Sequence, residues 1–500
     1  MRIGFVTSHY ENLGIEYLCS YIKKHGFNDL KLYFEPALFH NFFLDKNYLY
    51  ENFFNFKKEI LEKIKKDSPD IVAFSVISDN YAWSLEMAKK IKEIKKDTVI
   101  VFGGIHPSSV PEYVIKDGYC DFAIIGEGEE AFLELLTHLK ENKDPHQIKN
   151  LAFRDLKGEI RINKPRELIS NLDTLPFPDK EIFYKECKIA IQNSYTIIGS
   201  RGCMFNCSYC WNSSIKKIYP HNFFRRRSIP NIIEELEYAK NKYGIKRVTF
   251  YDEVFSADKK WLFDFASEYK KKINLPYFCC VHPYHIDEDT VKALEDSGCG
   301  AVNIGIQTTS SKLWKILNRN QNIDKIKNAL SVLRKSKIYV YSNYMIGLPN
   351  QSVSDLEKDF IFSANYKSDM PAIYWLRYYP NTEILKTALK LNILNKDQIK
   401  EINESKKYLP YAITGNTFNK NYSKIANLIL LSGYIPKGFA DIAVKYKIYK
   451  LMPSKNLLFP AIAIMGYLSL LKGKKHNFHY LSVTDYIKIY IKYIFKKIKR

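Results

Sequence analysis

Gly202-Cys203-Met204-Phe205-Asn206-Cys207-Ser208-Tyr209-Cys210 holds three thiols at the spacing Cys203-x3-Cys207-x2-Cys210. Thiolates spaced this way on one loop can curl round one face of a small cluster. A [4Fe–4S] cube takes four ligands, so three cysteines leave one iron open to a substrate. The alternative is a zinc knuckle short of its last ligand, because the nearest histidine, His221, lies 11 residues past Cys210. The loop follows a strand-like run, Tyr195–Gly199. Beyond it come strand-like runs at Arg247–Tyr251, Tyr277–Val281, Ala301–Ile306, Ile338–Ile346 and Ala372–Tyr378. Helical stretches such as Ile229–Lys242 and Leu356–Asn365 separate most of them. The rhythm predicts a partial, TIM-like (β/α)6 barrel over residues 191–380, whose chemistry belongs at the strand carboxyl ends, where the cysteine loop lies.

On the amino-terminal side, residues 1–145 repeat a shorter version of the pattern. Candidate strands are Ile3–Thr7, Ile71–Ser75, Val99–Phe102 and Phe122–Ile125; candidate helices are Gly14–His25, Phe54–Lys65, Ala82–Lys95 and Glu129–Lys140. Strand then helix, repeated, predicts a flavodoxin-like parallel α/β sheet with crossovers on both faces. Gly103-Gly104 and Gly126-Glu127-Gly128 fall just after strand ends, at the edge where such sheets bind ligands. Residues 146–190 read as an irregular linker, with Leu175-Pro-Phe-Pro178 extended by its prolines. Residues 381–500 lose the strand rhythm and read as helical.

Composition bounds these readings. The 500 residues suggest two to four domains, and 46% hydrophobic content excludes wholesale disorder. The first residues run straight into a strand pattern with no signal-like apolar region, and no run of about 18 apolar residues reads as a spanning helix. A reducing cytoplasm is expected, where clustered cysteines serve as metal ligands and not as disulfides. The formal charge of +22 calls for an anionic partner. Residues 472–500 carry nine Lys/Arg and one acid, Asp485, for a net +8. There Ile487, Tyr490, Ile491, Ile494, Phe495 and Ile498 follow helical spacing, with Lys488, Lys492, Lys496 and Lys499 on another face. This basic amphipathic tail fits peripheral contact with the anionic inner face of a membrane. A core-packing helix with a solvated basic face is the competing reading.

Together these motifs resemble the radical S-adenosylmethionine (SAM) superfamily, in the branch with a cobalamin (vitamin B12)-binding domain ahead of the barrel. Tyr209, before the last cysteine, fits the signature. Arg227-Ser-Ile-Pro-Asn231 followed by Val248-Thr-Phe-Tyr-Asp252-Glu253-Val-Phe255 resembles a run of that branch, with Asp-Glu where Asp-Asp is usual. The resemblance implies that Asp252 and Glu253 accept hydrogen bonds from the SAM ammonium. Asn303-Ile-Gly305-Ile-Gln307-Thr308 resembles the turn that meets the SAM ribose and carboxylate, with Gln307 in place of an acid. Tyr344-Met-Ile-Gly347-Leu-Pro349 resembles the adenine-side strand, where Gly347 allows close approach. In the first domain, Gly14, Ser75, Ile77, Gly103, Gly104 and Gly126 match turns that cradle cobalamin and its nucleotide tail. The stretch Thr7-Ser-His9-Tyr-Glu11-Asn-Leu-Gly14 puts Glu11 in the slot of the usual cobalt-ligating histidine, so no histidine is expected on cobalt.

The resemblance implies three cofactors: a [4Fe–4S] cluster, SAM and cobalamin. Reductive SAM cleavage would give a 5′-deoxyadenosyl radical that takes hydrogen from an unactivated carbon, with methyl transfer from methylcobalamin to follow. Ring formation or carbon–carbon coupling without methyl transfer is the runner-up. A tRNA methylthiotransferase stands further back: Arg225-Arg-Arg227 would suit RNA, but no second cysteine trio precedes the barrel, and nucleic acid is disfavoured as a partner. A non-catalytic sensor has no need of an open iron. Expected partners are a small-molecule or lipid-like substrate and an external one-electron reductant such as flavodoxin or ferredoxin. Cys279, Cys280, His282, Tyr374 and Arg377 line the expected barrel. Since neighbours on a strand face opposite sides, at most one of Cys279 and Cys280 points inward.

Overall fold

The computed structural model describes residues 1–9, 11–36, 55–186, 194–405 and 420–454. β1 (Ile3–His9) lies between β2 (Leu30–Pro36) and β3 (Ile71–Ser75), parallel to both. The sheet continues through β4 (Val99–Gly103) and β5 (Phe122–Ile124), also parallel. It ends in β6 (Leu151–Arg154) and β7 (Ile160–Ile162), which run antiparallel. Helices Leu13–Lys24 and Glu129–Lys140 share an apolar core with one face; Phe56–Asp67 and Tyr81–Ile94 share one with the other. Burial on both faces explains the unbroken apolar runs, such as Ile71-Val-Ala-Phe74.

The second sheet is built in chain order from β8 (Ser194–Ile197), then, past a short pair described next, β11 (Arg247–Phe250), β12 (Tyr277–Val281), β13 (Cys299–Gln307), β14 (Tyr339–Ile346) and β15 (Met370–Trp375). All its pairings are parallel. This is the six-stranded partial barrel that the sequence predicts. The short pair, β9 (Ser200–Arg201) and β10 (Arg225–Arg226), is antiparallel and brackets the cysteine loop.

Two features differ from the sequence reading. β2 was not expected, because Lys31 and Glu35 interrupt its apolar run just before Pro36. The stretch read as an irregular linker carries β6 and β7. Their strands are only four and three residues long. A tight turn joins them: Asp155 Oδ1 accepts from the backbone N–H of Lys157 and of Glu159, and Gly158 has φ +82°. After the barrel the described chain is helical, as expected. The basic tail at 472–500 lies outside the described residues. Among the described residues no helix is long and apolar enough to cross a membrane.

Candidate active site

The cysteine loop is shaped by one glycine and one arginine. Gly202 has φ +83°, and a Cβ there would lie 2.1 Å from the Phe223 carbonyl oxygen. No other residue fits that position. Downstream, Ser208 N–H donates to the Leu317 carbonyl at 2.9 Å and its hydroxyl to that of Ile316 at 2.8 Å, tying the loop to the segment after β13. From that segment Arg319 reaches Cys207 Sγ at 3.6 Å, the Tyr209 hydroxyl at 3.4 Å and the Gly305 carbonyl at 2.6 Å. Sequence reasoning missed Arg319, since Asn318-Arg319-Asn320 matches none of the motifs it used.

The donor set fits an iron–sulfur cluster. Burial pushes the Cys203 thiol up and that of Cys210 to about 12, and the neighbouring thiols act in the same direction. The bare loop therefore favours neutral thiols, and bound metal would supply the positive charge that deprotonates them. Among the described residues no three His, Cys, Asp or Glu side chains are arranged to hold a single ion. Ligands to three different irons of a cube need no such convergence.

Asp252 and Glu253 part company at the end of β11. Asp252 is buried and spends both oxygens locally: Gly199 N–H donates to Oδ2 at 2.9 Å, and the Ser200 hydroxyl donates to Oδ1. It fixes the turn that enters the cysteine loop. Glu253 is exposed, and its charge acts on the thiols of Cys203, Cys210 and Cys280. Desolvation raises its pKa while a hydrogen bond from Asn212 opposes the rise, so Glu253 is a held carboxylate beside the loop.

Gln307 and Gly347 sit at the ends of β13 and β14 with φ +68° and +77°. The β13–β14 register slips between Gly305 and Gln307, leaving Ile306 as the extra residue, and Gln307 pairs with Tyr344 at the strand end. Two carboxylates pin the turn that follows. Thr308 and Thr309 donate to Asp359, and Ser310 and Lys312 bind Asp355 one helical turn earlier. On β12, Tyr277, Cys279 and Val281 are buried while Phe278 and Cys280 are partly exposed, so Cys280 is the inward cysteine. It pairs in register with Asn303, and Asn303 with Tyr341, a row without charge.

The carboxyl edge of the first sheet faces this loop. Trp211, next to Cys210, donates from Nε1 to Ser109 Oγ at 2.8 Å. Gly126 has φ +77°, and a Cβ there would strike the Tyr219 hydroxyl at 2.2 Å. Arg377, at the end of β15, pairs with Asp79 at 2.7 Å. Along the same edge Ile77 is exposed, and Asn12 donates to Ser75 Oγ at 3.0 Å. At Gly104, φ is +104° and a Cβ would come within 2.8 Å of the Val76 carbonyl; at Gly103 it would meet nothing within 4 Å. That bare edge fits the bulky tail of a corrinoid. His106 packs beneath it, its ring 4.2 Å from that of Tyr81, and burial alone brings its pKa down to about 3. Glu11, in the cobalt-ligand slot, is bound by buried Lys180 at 2.6 Å; Lys180 also holds Glu16 at 2.7 Å.

Each arginine of the triplet has a partner within the chain. Arg225 binds Glu127 at 2.9 Å, Arg226 stacks over Trp261 at 4.1 Å, and Arg227 pairs with Glu235.

The radical SAM superfamily pattern matches residues 197–362, and the B12 binding domain pattern matches residues 3–136. The chain belongs to the radical SAM superfamily, in the branch whose barrel follows a B12-binding domain. It is an enzyme of that class, whose cofactors are a [4Fe–4S] cluster, SAM and cobalamin. An uncharacterized methyltransferase of Pyrococcus horikoshii is 28% identical over 346 residues, covering 67% of this chain and 73% of that protein. The anaerobic magnesium-protoporphyrin IX monomethyl ester cyclase of Cereibacter sphaeroides is 24% identical over 408 residues, covering 76% of this chain and 62% of the cyclase, so the chain spans less than two-thirds of that enzyme. Among solved structures, the cobalamin-dependent SAM radical enzyme OxsB, with aqua-cobalamin and SAM bound, aligns over 98% of this chain and 84% of its own, with TM-score 0.66 at 13% identity. At that identity the likeness is one of fold.

Proposed function

We propose that the protein transfers a methyl group to an unactivated carbon of a small-molecule or lipid-like substrate. The observation that carries this reading is the apposition of the three-cysteine loop and the bare carboxyl edge of the first sheet. In this reading Cys203, Cys207 and Cys210 hold the cluster. Glu253, Gln307 and the strand end at Gly347 meet SAM, with Asp252 setting the loop. Ser75, Ile77, Gly103, Gly104 and Gly126 cradle cobalamin. When bound, these groups supply one-electron SAM cleavage and methyl transfer, which protein side chains cannot perform.

The chain's own residues place and shield. Arg319 offers positive charge beside Cys207, which offsets the charge of thiolate ligands. The uncharged row Cys280, Asn303 and Tyr341 suits a neutral reacting group, since an unpaired charge in a dry barrel is costly. Trp211 and Tyr219 close the joint against the first sheet. The electron comes from an external donor such as flavodoxin or ferredoxin. Ring closure without methyl transfer is the second reading, favoured by the likeness to the cyclase.

Anaerobic reconstitution with iron, sulfide, cobalamin and SAM tests this. Wild type is expected to form 5′-deoxyadenosine, and Cys203→Ala to lose both the cluster absorbance and that product. Undiminished product from Cys203→Ala overturns the reading. SAM cleavage without cobalamin uptake leaves ring closure standing and removes methyl transfer.

A further inference from the structure

The helix Phe439–Lys445 is turned inside out. It packs on Val353–Asn365 through its small residues: Ala440 and Ala443 are 0% exposed. Val444 also packs against the core, but Phe439 and Ile442 face away at 40% and 50% exposed, as does Tyr446 just beyond the end at 69%. At 3.6 residues per turn these three share one side. Leu451, closing the turn Ile448–Leu451, is 85% exposed. A helix folded for water alone buries its large apolar side chains and shows its alanines. Lys437, Lys445, Lys447 and Lys450, all exposed, collar the patch, and Asp441 is the only acid between 437 and 451.

We propose that this face docks the protein on an anionic lipid bilayer. Phe439, Ile442, Tyr446 and Leu451 enter the boundary between headgroups and acyl chains, and the lysines meet the phosphates. The chemistry selects this occupant. Protein interfaces are depleted in lysine, whereas interfacial membrane sites combine apolar side chains with lysines of one sign. Residues 472–500, at net +8, are repelled by these lysines; the uncharged apolar run Leu457–Leu471 is the competing occupant, which the urea midpoints below separate. The surface is distinct from the basic tail and does not depend on the chemistry proposed above.

The test is flotation of the full-length protein with vesicles of phosphatidylcholine alone or mixed with phosphatidylglycerol. Wild type should float with the anionic vesicles and stay behind with the neutral ones. Ile442→Asp with Tyr446→Asp should reduce flotation by about tenfold or more, and Lys445→Glu with Lys447→Glu by at least about fivefold. Both double variants should keep the wild-type urea midpoint, because the side chains face out. Wild type left in the soluble fraction with both vesicles overturns the proposal. So does equal flotation of wild type and both variants, which would place membrane contact elsewhere in the chain. A lowered urea midpoint with unchanged flotation shows the patch covered by the chain itself. Concentration-dependent self-association that Tyr446→Asp abolishes, without flotation, shows a protein partner. Either result replaces the bilayer.

Discussion

Asp359 is a buried carboxylate that no motif announced. Thr309 donates to its Oδ1 from both N–H and hydroxyl at 2.6 Å, and Thr308 donates to its Oδ2 at 3.0 Å. Burial nevertheless pushes its pKa up to about 7, with Asp355 on the same helix adding to the rise. The folded pKa lies above the unfolded value, so the folded chain holds a proton that the unfolded chain releases. Its contribution to stability is therefore complete below about pH 4 and is lost as pH rises through about 7. The limiting slope is about 1.4 kcal/mol per pH unit. Asp359→Asn should flatten the fall in urea midpoint between pH 5 and pH 8, and equal slopes in the two proteins would refute the assignment. Cys203 and Cys210 show the opposite balance of legibility. Spacing alone exposed their chemistry, whereas Asp359 and Arg319 act through partners roughly 50 and 110 residues away in sequence, and no local pattern encodes those meetings.

At the scale of the element, the turn after β4 separates fold from ligand. Gly104 has φ +104° and a Cβ would lie 2.8 Å from the Val76 carbonyl, so Gly104→Ala should cost about 2 kcal/mol or more. Gly103 lacks such a neighbour within 4 Å, and Gly103→Ala should stay within about 0.5 kcal/mol of wild type. If this edge cradles cobalamin, Gly103→Ala will nonetheless lose cobalamin on gel filtration while its urea midpoint holds. Retained cobalamin in that variant would remove Gly103 from the site. The glycines were legible because a turn after a strand needs them, but their separate jobs were not. The first sheet was legible for a related reason: parallel strands buried on two faces, such as β3 and β4, write continuous apolar runs, whereas β12 of the second sheet alternates. β6 and β7 write none. They are short and antiparallel, β6 burying only Leu151-Ala-Phe153 and β7 lying largely exposed, and only the Asp155–Gly158 turn marks them.

Across the whole molecule, most ion pairs at the junction of the two halves put the acid on the first half, with Lys23–Asp179 as the reverse case. Glu11, Glu16, Glu127, Glu129, Glu130 and Glu134 come from the first sheet and its helices. Their partners Arg166, Lys180, Arg201 and Arg225 come from the chain beyond that sheet's parallel strands. Glu127 is the hub, bound by Arg201 at 3.0 Å and Arg225 at 2.9 Å. Burial opposes its ionisation, but Arg201 and then Arg225 hold its pKa below the usual range. Such a network does little for net stability compared with an apolar joint, but it tolerates no missing member. Glu127→Gln leaves the buried Arg225 guanidinium without an anion, while Arg201 keeps Glu129, and should destabilise the chain by about 3 kcal/mol. The loss should concentrate at the joint, so unfolding of the first sheet should separate from that of the barrel in a urea titration followed by far-UV and near-UV circular dichroism. Because the pairs are screened little when buried, raising salt from 0.1 M to 1 M should leave the wild-type midpoint nearly unchanged. Coincident transitions within about 0.5 kcal/mol of wild type would show that the halves are held by their apolar contacts alone. The spacing between the cysteine loop and the first sheet would then have to be set by Trp211 and Tyr219, not by charge.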